Sequence, residues 1–170
     1  MKKIAIIGPE STGKSTLTKG LAEYFQEPFV PEYGRKYLEE NGSEYVMSDL
    51  LKISKGMLQE EQEQSKNARQ FLFCDTDFIM MKVWYEVKFG ECHPFVLDKL
   101  SQKPYDFYFL CAPDLPWEAD PLRENPNIRE ELFRKYEKEL IEFNLPFVKI
   151  EGHDRLKKAI KAITKLKSKS

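Results

Sequence analysis

Short runs of apolar residues alternate along the chain with longer segments in which apolar positions recur every three or four residues. The short runs predict buried strands, and the longer segments predict helices. Strands that alternate with helices favour an α/β fold in which a parallel sheet is covered by helices on both faces. The predicted strands are residues 3–8, 28–32, 70–75, 105–113 and 146–152, and the predicted helices are residues 14–26, 34–41, 47–69, 78–89, 127–143 and 154–167.

Composition adds little to this picture. The 170 residues suffice for one domain, and the net charge of -1 with 32% charged residues lacks the basic excess of a nucleic-acid-binding protein. Cys74, Cys92 and Cys111 are odd in number and show no CxxC spacing, which favours reduced thiols in a cytoplasmic protein. The apolar runs are shorter than the roughly 18 residues of a membrane span, so we expect no membrane partner. No pattern indicates an oligomeric state.

The C-terminal segment is strongly basic. After Asp154 it reads "RLKKAIKAITKLKSKS", with seven basic residues and no acid. The apolar positions have helical spacing, which predicts an amphipathic helix with a frayed tail. The basic face could bind anionic lipid or nucleic acid. A solvated face is the preferred interpretation, because cations also suit the C-terminus of a helix.

The most specific local motif follows the first strand. "GPESTGKST" contains Gly8, Gly13, Lys14 and Ser15 in the GxxxxGK[ST] pattern, between a predicted strand and a predicted helix. Glycines let the backbone wrap around phosphate oxygens, and the amide groups at the start of the helix point at them. We expect Lys14 to reach the β and γ phosphates and Ser15 to bind Mg²⁺. The predicted ATP-phosphate contacts are Gly8, Glu10, Ser11, Thr12, Gly13, Lys14, Ser15 and Thr16.

An acid at the end of the third strand is a candidate for the second metal contact. Asp75 follows "QFLFC", and P-loop proteins place an acidic Mg²⁺ ligand at the carboxyl end of a neighbouring strand. The alternative is that an acid here caps the next helix, which fits Asp77 at least as well as Asp75. We favour Asp75, together with Ser15, as the metal-binding pair.

The remaining sequence favours a small kinase over other P-loop proteins. The guanine-reading NKxD string and a DxxG string after the third strand, both typical of GTPases, do not occur. A small kinase needs an acid for the acceptor proton, side chains that hold the acceptor, and arginines for the transferred phosphoryl group. "PEYGRKY" offers Glu32, Tyr33 and Arg35, and "DTD" offers Asp75 and Asp77. Glu32 is the preferred base, and the two aspartates remain alternatives.

A proline-rich segment follows the fourth strand, where small kinases place a lid. The segment "DLPWEADPLREN" lies within the predicted lid, about residues 113–129. Together with "GPESTGKST", "PEYGRKYLE" and "FCDTDFIMMKVWYEVKFG", it resembles the ribosylnicotinamide kinase domain of the NadR type, over nearly the whole chain. The resemblance implies a P-loop kinase fold with a short lid, which uses ATP and Mg²⁺ to phosphorylate nicotinamide riboside in NAD salvage.

The resemblance also implies roles for the lid. Trp117 would stack on the cationic nicotinamide ring, and Asp120 would hold the ribose hydroxyls or the carboxamide. Arg123, with Arg129 on the following helix, would steady the phosphates. The alternative is that Trp117 fills the edge of the core while Asp120 and Arg123 form a surface ion pair of little energetic value.

Two departures from the family pattern limit what can be carried over. Met80 and Met81 stand after "DTD", where hydroxyl residues often occur in the family, so the acceptor could differ. His93 and His153 form no HxGH-like pair, so we expect a kinase without adenylyl transfer. The alternative functions are a kinase for another nucleoside or small alcohol, and a nucleotide-binding regulatory protein.

Overall fold

The computed structural model describes residues 1–167, and its centre is a five-stranded sheet in which every strand pairs in parallel. The strand order is β2-β3-β1-β4-β5. The predicted five-stranded parallel α/β architecture is therefore confirmed. The strands are β1 (Lys2–Ile7), β2 (Phe29–Val30), β3 (Phe71–Asp75), β4 (Phe107–Cys111) and β5 (Phe147–Ile150).

Helices connect the strands, and one of them was not predicted. Pro94–Ser101 forms a short helix that buries only Val96 and Leu100, too few positions to give a clear helical period in the sequence. Its start is fixed locally, because the His93 ring accepts a hydrogen bond from the Phe95 N–H. The helices are α1 (Lys14–Phe25), α2 (Tyr33–Asn41), α3 (Met47–Ser65), α4 (Phe78–Phe89), α5 (Pro94–Ser101), α6 (Arg129–Glu142) and α7 (Arg155–Lys167).

The core lies on both faces of the sheet. Along β1, Ile4 and Ile6 point to one face while Ala5 and Ile7 point to the other, and all four are fully buried. A strand buried on both faces is apolar at every position, which is why "IAII" was recognisable in the sequence. The face of Ile4 packs on α1 and α7, and the opposite face packs on α3, α4 and α6.

The strand order determines where the loops meet. From β1 the chain builds β2 and β3 on one side and then β4 and β5 on the other, so the direction of winding reverses at β1. Ligands bind in such sheets at the carboxyl edge beside the reversal. The loops after β1, β2, β3 and β4 all emerge at that edge.

Residues 112–128 connect β4 to α6 as loop and turns across this edge. They form the segment predicted to be a lid, and α6 begins at Arg129, two residues later than predicted. Helix α7 closely matches its predicted span, and the frayed tail expected beyond it lies outside the described residues. Within residues 1–167, no helix is both long and apolar enough to cross a membrane.

Candidate active site

The loop between β1 and α1 wraps tightly because two glycines permit it. A Cβ on Gly8 would lie 2.6 Å from the carbonyl oxygen of Cys111, so a larger residue would displace the backbone at the end of β4. Gly13 has φ +75° and forms the N-cap of α1. Only glycine adopts this left-handed conformation at little cost. The loop therefore aims the amide groups of the first turn of α1 at the sheet edge.

Lys14 is buried inside this loop. Its ammonium donates a hydrogen bond of 2.8 Å to the carbonyl oxygen of Pro9, and the Thr12 hydroxyl donates to the same oxygen at 2.7 Å. An ammonium group surrounded by backbone amides forms a compact site of positive potential. Such a site suits the phosphates of a nucleotide.

Ser15 and Asp75 meet beside the phosphate loop. The Ser15 hydroxyl donates to Oδ2 of Asp75 at 2.5 Å, whereas the buried Oδ1 has no hydrogen-bond partner among residues 1–167. Burial, together with the charge of Glu32, raises the pKa of Asp75 to about 6 against the opposing charge of Lys14. A buried carboxylate oxygen without a partner beside a hydroxyl is a fitting pair of hard oxygen ligands for Mg²⁺.

A cavity of about 860 Å³ extends from the phosphate loop to α2 and α4 under the lid. Lys14 and Ser15 line one end. Tyr33, Tyr45 and Trp84 line the other end with their aromatic side chains. The cavity therefore offers one charged end and one aromatic end. Between and around them lie Glu32, Arg35, Met80, Met81, Leu122, Arg123 and Glu124.

The aromatic end is joined to the lid by hydrogen bonds. The Trp84 indole N–H donates to the Tyr45 hydroxyl at 2.7 Å, and this hydroxyl lies 2.8 Å from Oε2 of Glu124. A Cβ on Gly34 would lie 3.1 Å from the Trp84 ring, so this glycine lets α2 pack closely against the indole. Sequence reasoning overlooked Trp84. Its signal was a stripe of Met80, Trp84 and Val87 at helical spacing, all of which line the cavity.

Glu10 of the phosphate loop holds the lid. Its carboxylate accepts hydrogen bonds from the backbone N–H groups of Glu124 at 3.0 Å and Asn125 at 2.9 Å. An anionic side chain repels phosphate, so the contribution predicted for Glu10 at the phosphate site falls to its backbone. The side chain instead connects the loop that binds nucleotide to the lid.

Two arginines of the lid region take different positions. Arg129 donates from one nitrogen to the carbonyl oxygens of Ser11 at 3.2 Å and Leu115 at 2.9 Å, which fastens the start of α6 to the phosphate loop. Arg123 lines the cavity and donates to the carbonyl oxygen of Glu118 at 2.5 Å. Of the two arginines, Arg123 belongs to the described cavity lining and Arg129 does not.

Trp117 does not line the cavity in the described part of the chain. Its half-buried ring lies against Arg129, with 5.8 Å between the guanidinium carbon and the ring centroid. The predicted stacking of Trp117 on a substrate ring stays a prediction, and in this structure the ring packs on Arg129 outside the described cavity lining. The tryptophan that faces the cavity is Trp84.

Asp120 is likewise occupied by protein partners. Its carboxylate accepts from the Leu122 N–H at 2.9 Å and from Arg35 at 3.1 Å. These two contacts, in that order, hold the pKa of Asp120 below its ordinary value. Because Arg35 lines the cavity, Asp120 positions a cavity residue and links the lid to α2.

The candidate bases differ in exposure. Asp77 is fully buried, caps α4 by accepting from the Met80 N–H at 2.8 Å, and is absent from the described cavity lining. Burial raises its pKa to about 7. Glu32 precedes α2 and lines the cavity as well as the corner beside Asp75. The geometry thus gives Asp77 the capping role and leaves Glu32, of these two acids, at the cavity.

Arg155 at the start of α7 is a second residue that sequence reasoning overlooked. It donates to the carbonyl oxygens of Thr12 at 3.0 Å and Ala112 at 3.3 Å, and it forms an ion pair with Asp114. The sequence suggested only a basic, solvated helix. The start of this helix was predicted, so the missed feature is the contact of Arg155 with the phosphate loop, for which the residues around it give no local signal.

Residues 3–155 match a family model described as an AAA domain. The chain belongs to this family. Membership confirms the prediction of a P-loop nucleotide-binding fold, because the match includes the whole phosphate loop and the carboxyl edge around it.

Among proteins of known function, this AAA domain protein is similar to the trifunctional NAD biosynthesis/regulator protein NadR of Escherichia coli. The two are 34% identical over 160 residues, which cover 91% of this chain and 39% of NadR. The predicted resemblance to NadR is thereby confirmed. The chain spans about two fifths of the length of that relative.

Two solved structures show the same fold as this AAA domain protein. NadR protein in complex with NR superposes with a TM-score of 0.78 at 24% identity, covering 96% of this chain and 51% of that one. Deoxyadenosine kinase from M. mycoides superposes with a TM-score of 0.64 at 16% identity, covering 98% and 99%. The likeness to both establishes a nucleoside-kinase-like P-loop fold.

Proposed function

We propose that the protein is an ATP-dependent kinase that transfers the γ-phosphoryl group of ATP to the 5′-hydroxyl of nicotinamide riboside. The product is nicotinamide mononucleotide, an intermediate of NAD salvage. The observation that carries the proposal is the single cavity that joins the phosphate loop to the aromatic end under the lid. The 34% identity to NadR supports nicotinamide riboside (NR) as the acceptor.

ATP would occupy the charged end of the cavity. The amides after Gly8 and the ammonium of Lys14 would bind its phosphates. Arg155 and Leu156 line the part of the cavity that we assign to adenine. Ser15 and the partnerless oxygen of Asp75 would hold Mg²⁺. Mg²⁺, when bound, would neutralise phosphate charge and orient the phosphoryl group for in-line transfer.

The acceptor would lie between Glu32 and the aromatic end. Glu32 would take the proton of the 5′-hydroxyl, and Arg123 would stabilise charge on the moving phosphoryl group. A pyridinium ring against the Trp84 face would gain a cation–π attraction of about 0.5–2 kcal/mol. The protein would therefore act mainly by positioning two substrates and by excluding water under the lid.

The lid has a defined place in this proposal. Its backbone at Glu124 and Asn125 is bound by Glu10, which belongs to the phosphate loop. Nucleotide bound in that loop would therefore contact the same segment that holds the lid.

The three cysteines are free thiols, which supports a reducing compartment such as the cytoplasm for the reaction.

A coupled assay for ADP with nicotinamide riboside, ATP and Mg²⁺ tests the proposal directly. We expect ADP formation that depends on the riboside, and a product with one added phosphate by mass spectrometry. Lys14→Met is the matched control for contaminating kinases, because it removes the ammonium that binds phosphate. Riboside-independent ADP release at the same rate would support the regulatory alternative and contradict the kinase proposal.

A different nucleoside acceptor is the second candidate. The likeness to deoxyadenosine kinase over 98% of this chain favours it, as does Met80 in the cavity where a hydroxyl residue was expected. A panel of purine and pyrimidine nucleosides in the same assay separates the candidates. A kcat/KM for any of them above that for nicotinamide riboside would favour this alternative.

A further inference from the structure

Glu124 of the lid lines the same cavity as Trp84 and Tyr45. The Trp84 nitrogen lies 2.7 Å from the Tyr45 oxygen, which lies 2.8 Å from Oε2 of Glu124. An indole nitrogen can only donate, so the Tyr45 oxygen accepts that bond and directs its own proton to Glu124. The three side chains thus form a hydrogen-bonded chain with a fixed direction that ends on a carboxylate.

This direction affects how the aromatic end interacts with charge. An indole that donates its N–H toward an anion becomes more electron-rich, and its face attracts a cation more strongly. Burial and the contacts of Tyr45 with Glu124 raise the pKa of Tyr45, against the opposing effect of Trp84. The hydroxyl therefore remains a donor, and the chain keeps its direction at neutral pH.

One cation of the protein lies beside these side chains, outside the described cavity lining. The Lys88 ammonium lies 5.1 Å from the centroid of the Tyr45 ring and 3.4 Å from Oε1 of Glu124. Lys88 is absent from the described cavity lining, so it approaches from outside. Glu124 thus has one oxygen directed to Tyr45 and the other shared with an exposed lysine.

Three arginines belong to the described cavity lining; Arg155 forms an ion pair with Asp114, and the other two do not compete for Glu124 either. Arg35 is held by Asp120 at 3.1 Å, and Arg123 donates to the carbonyl oxygen of Glu118 at 2.5 Å. Both are bound to other acceptors of the lid. The negative charge that faces the aromatic end from the lid is therefore balanced mainly by Lys88.

We propose that Glu124 determines acceptor specificity by charge: it favours a positively charged aromatic ring over a neutral ring of the same shape. Lys88 reduces this preference by partly neutralising the carboxylate. The inference rests on the proposed function, in which the acceptor is nicotinamide riboside. It assigns to Glu124 the recognition of the charge of the acceptor ring, as distinct from the size of the ring and its hydrogen-bonding groups.

The test compares nicotinamide riboside with its neutral isostere, the C-riboside of benzamide, in which carbon replaces the pyridinium nitrogen. Glu124→Gln keeps the length of the side chain and an oxygen that can accept from Tyr45. We expect this variant to lower kcat/KM for nicotinamide riboside about tenfold, through a higher KM. The kcat/KM for the isostere should change by no more than about twofold. Lys88→Met should change the ratio of kcat/KM for nicotinamide riboside to kcat/KM for the isostere in the opposite direction, by roughly threefold.

Glu44→Gln is the matched control, because Glu44 is exposed on the same side of the fold, is absent from the described cavity lining, and carries the same charge. It should leave the ratio unchanged. Equal losses for both acceptors in Glu124→Gln would assign Glu124 a structural role and overturn the inference while the proposed function stands. A wild-type protein that phosphorylates neither riboside would overturn both.

Discussion

The guanidinium carbon of Arg129 lies 5.8 Å from the centre of the Trp117 ring, and the same guanidinium holds the carbonyl oxygens of Ser11 and Leu115. Trp117 is therefore packed where the lid meets the phosphate loop. Trp84, the other tryptophan of the chain, lines the aromatic end of the cavity. The two rings can be separated by experiment, since each is the sole tryptophan left when the other is replaced.

We expect Trp84→Ala to raise KM for nicotinamide riboside roughly ten- to thirty-fold, because about 1–2 kcal/mol of stacking is lost. Trp84→Phe should recover part of that loss, since a ring face remains. Riboside binding should quench tryptophan fluorescence in Trp117→Phe and leave it unchanged in Trp84→Phe. Fluorescence titration and steady-state kinetics are the measurements.

Trp117→Ala is the contrasting variant. It removes a ring that stacks on Arg129, so we expect its main effect on ATP affinity through a loosened phosphate loop. If the quench instead disappears in Trp117→Phe and persists in Trp84→Phe, the lid tryptophan binds the ring, as the sequence predicted, and the assignment of Trp84 is wrong.

Replacement of Glu32 tests the proposed base. Glu32→Gln keeps the shape but cannot accept the proton, so kcat should fall by roughly 10²–10⁴-fold while the Kd for ATP stays within about twofold. Glu40→Gln, at an exposed acid on α2, the helix that follows Glu32, controls for the change in net charge. Near-normal turnover in Glu32→Gln would remove Glu32 from the base role.

The fold was predictable because its signals are local. The central strands are apolar at each buried position except Asp75, the last residue of β3, and the phosphate loop needs glycines, as the close approach of Gly8 to Cys111 illustrates. Helix α5 was missed because its eight residues bury only two apolar side chains. Length and burial on both faces therefore decided which elements could be recognised.

The site was less predictable because side-chain partners depend on tertiary structure. Glu10 lies in the phosphate-loop motif, yet its carboxylate turns to the lid 114 residues away. Asp120 and Trp117 have the residue types expected of substrate contacts, but they bind Arg35 and Arg129. Met80, Trp84 and Val87 form a stripe at helical spacing, but such spacing does not by itself distinguish a helix face that lines a cavity from one that packs in the core.

We expect Arg155 to affect both stability and ATP binding, although it lies far from the phosphate-loop motif in the sequence. Arg155→Ala removes charged hydrogen bonds to Thr12 and Ala112, so we expect a loss of about 2 kcal/mol of stability, a Tm lower by roughly 4–8 °C, and a raised KM for ATP. Lys157→Ala, at an 83% exposed side chain, is the control. An unchanged KM for ATP would limit Arg155 to a role in stability.

The cysteines offer a prediction about pH that is independent of the proposed activity. Burial, followed by the charge of Glu86, raises the pKa of the half-buried Cys92 thiol to about 11, against the opposing charge of Lys82. Only the thiolate is nucleophilic, so below that pKa the reactive fraction grows tenfold per pH unit. Iodoacetamide labelling of the native protein should therefore accelerate about tenfold for each unit between pH 7 and 9.5.

Cys74 and Cys111 provide the internal comparison. Both are buried, and burial raises the pKa of each thiol, to about 12 for Cys111. Mass spectrometry should locate the first label on Cys92, and Cys92→Ser should abolish labelling until the protein is unfolded. Circular dichroism across the same pH range would verify that the native state persists. A labelling rate that already levels off near pH 9 would mean that the Cys92 thiol has an ordinary pKa and is not shielded by the contact between α4 and the start of α5.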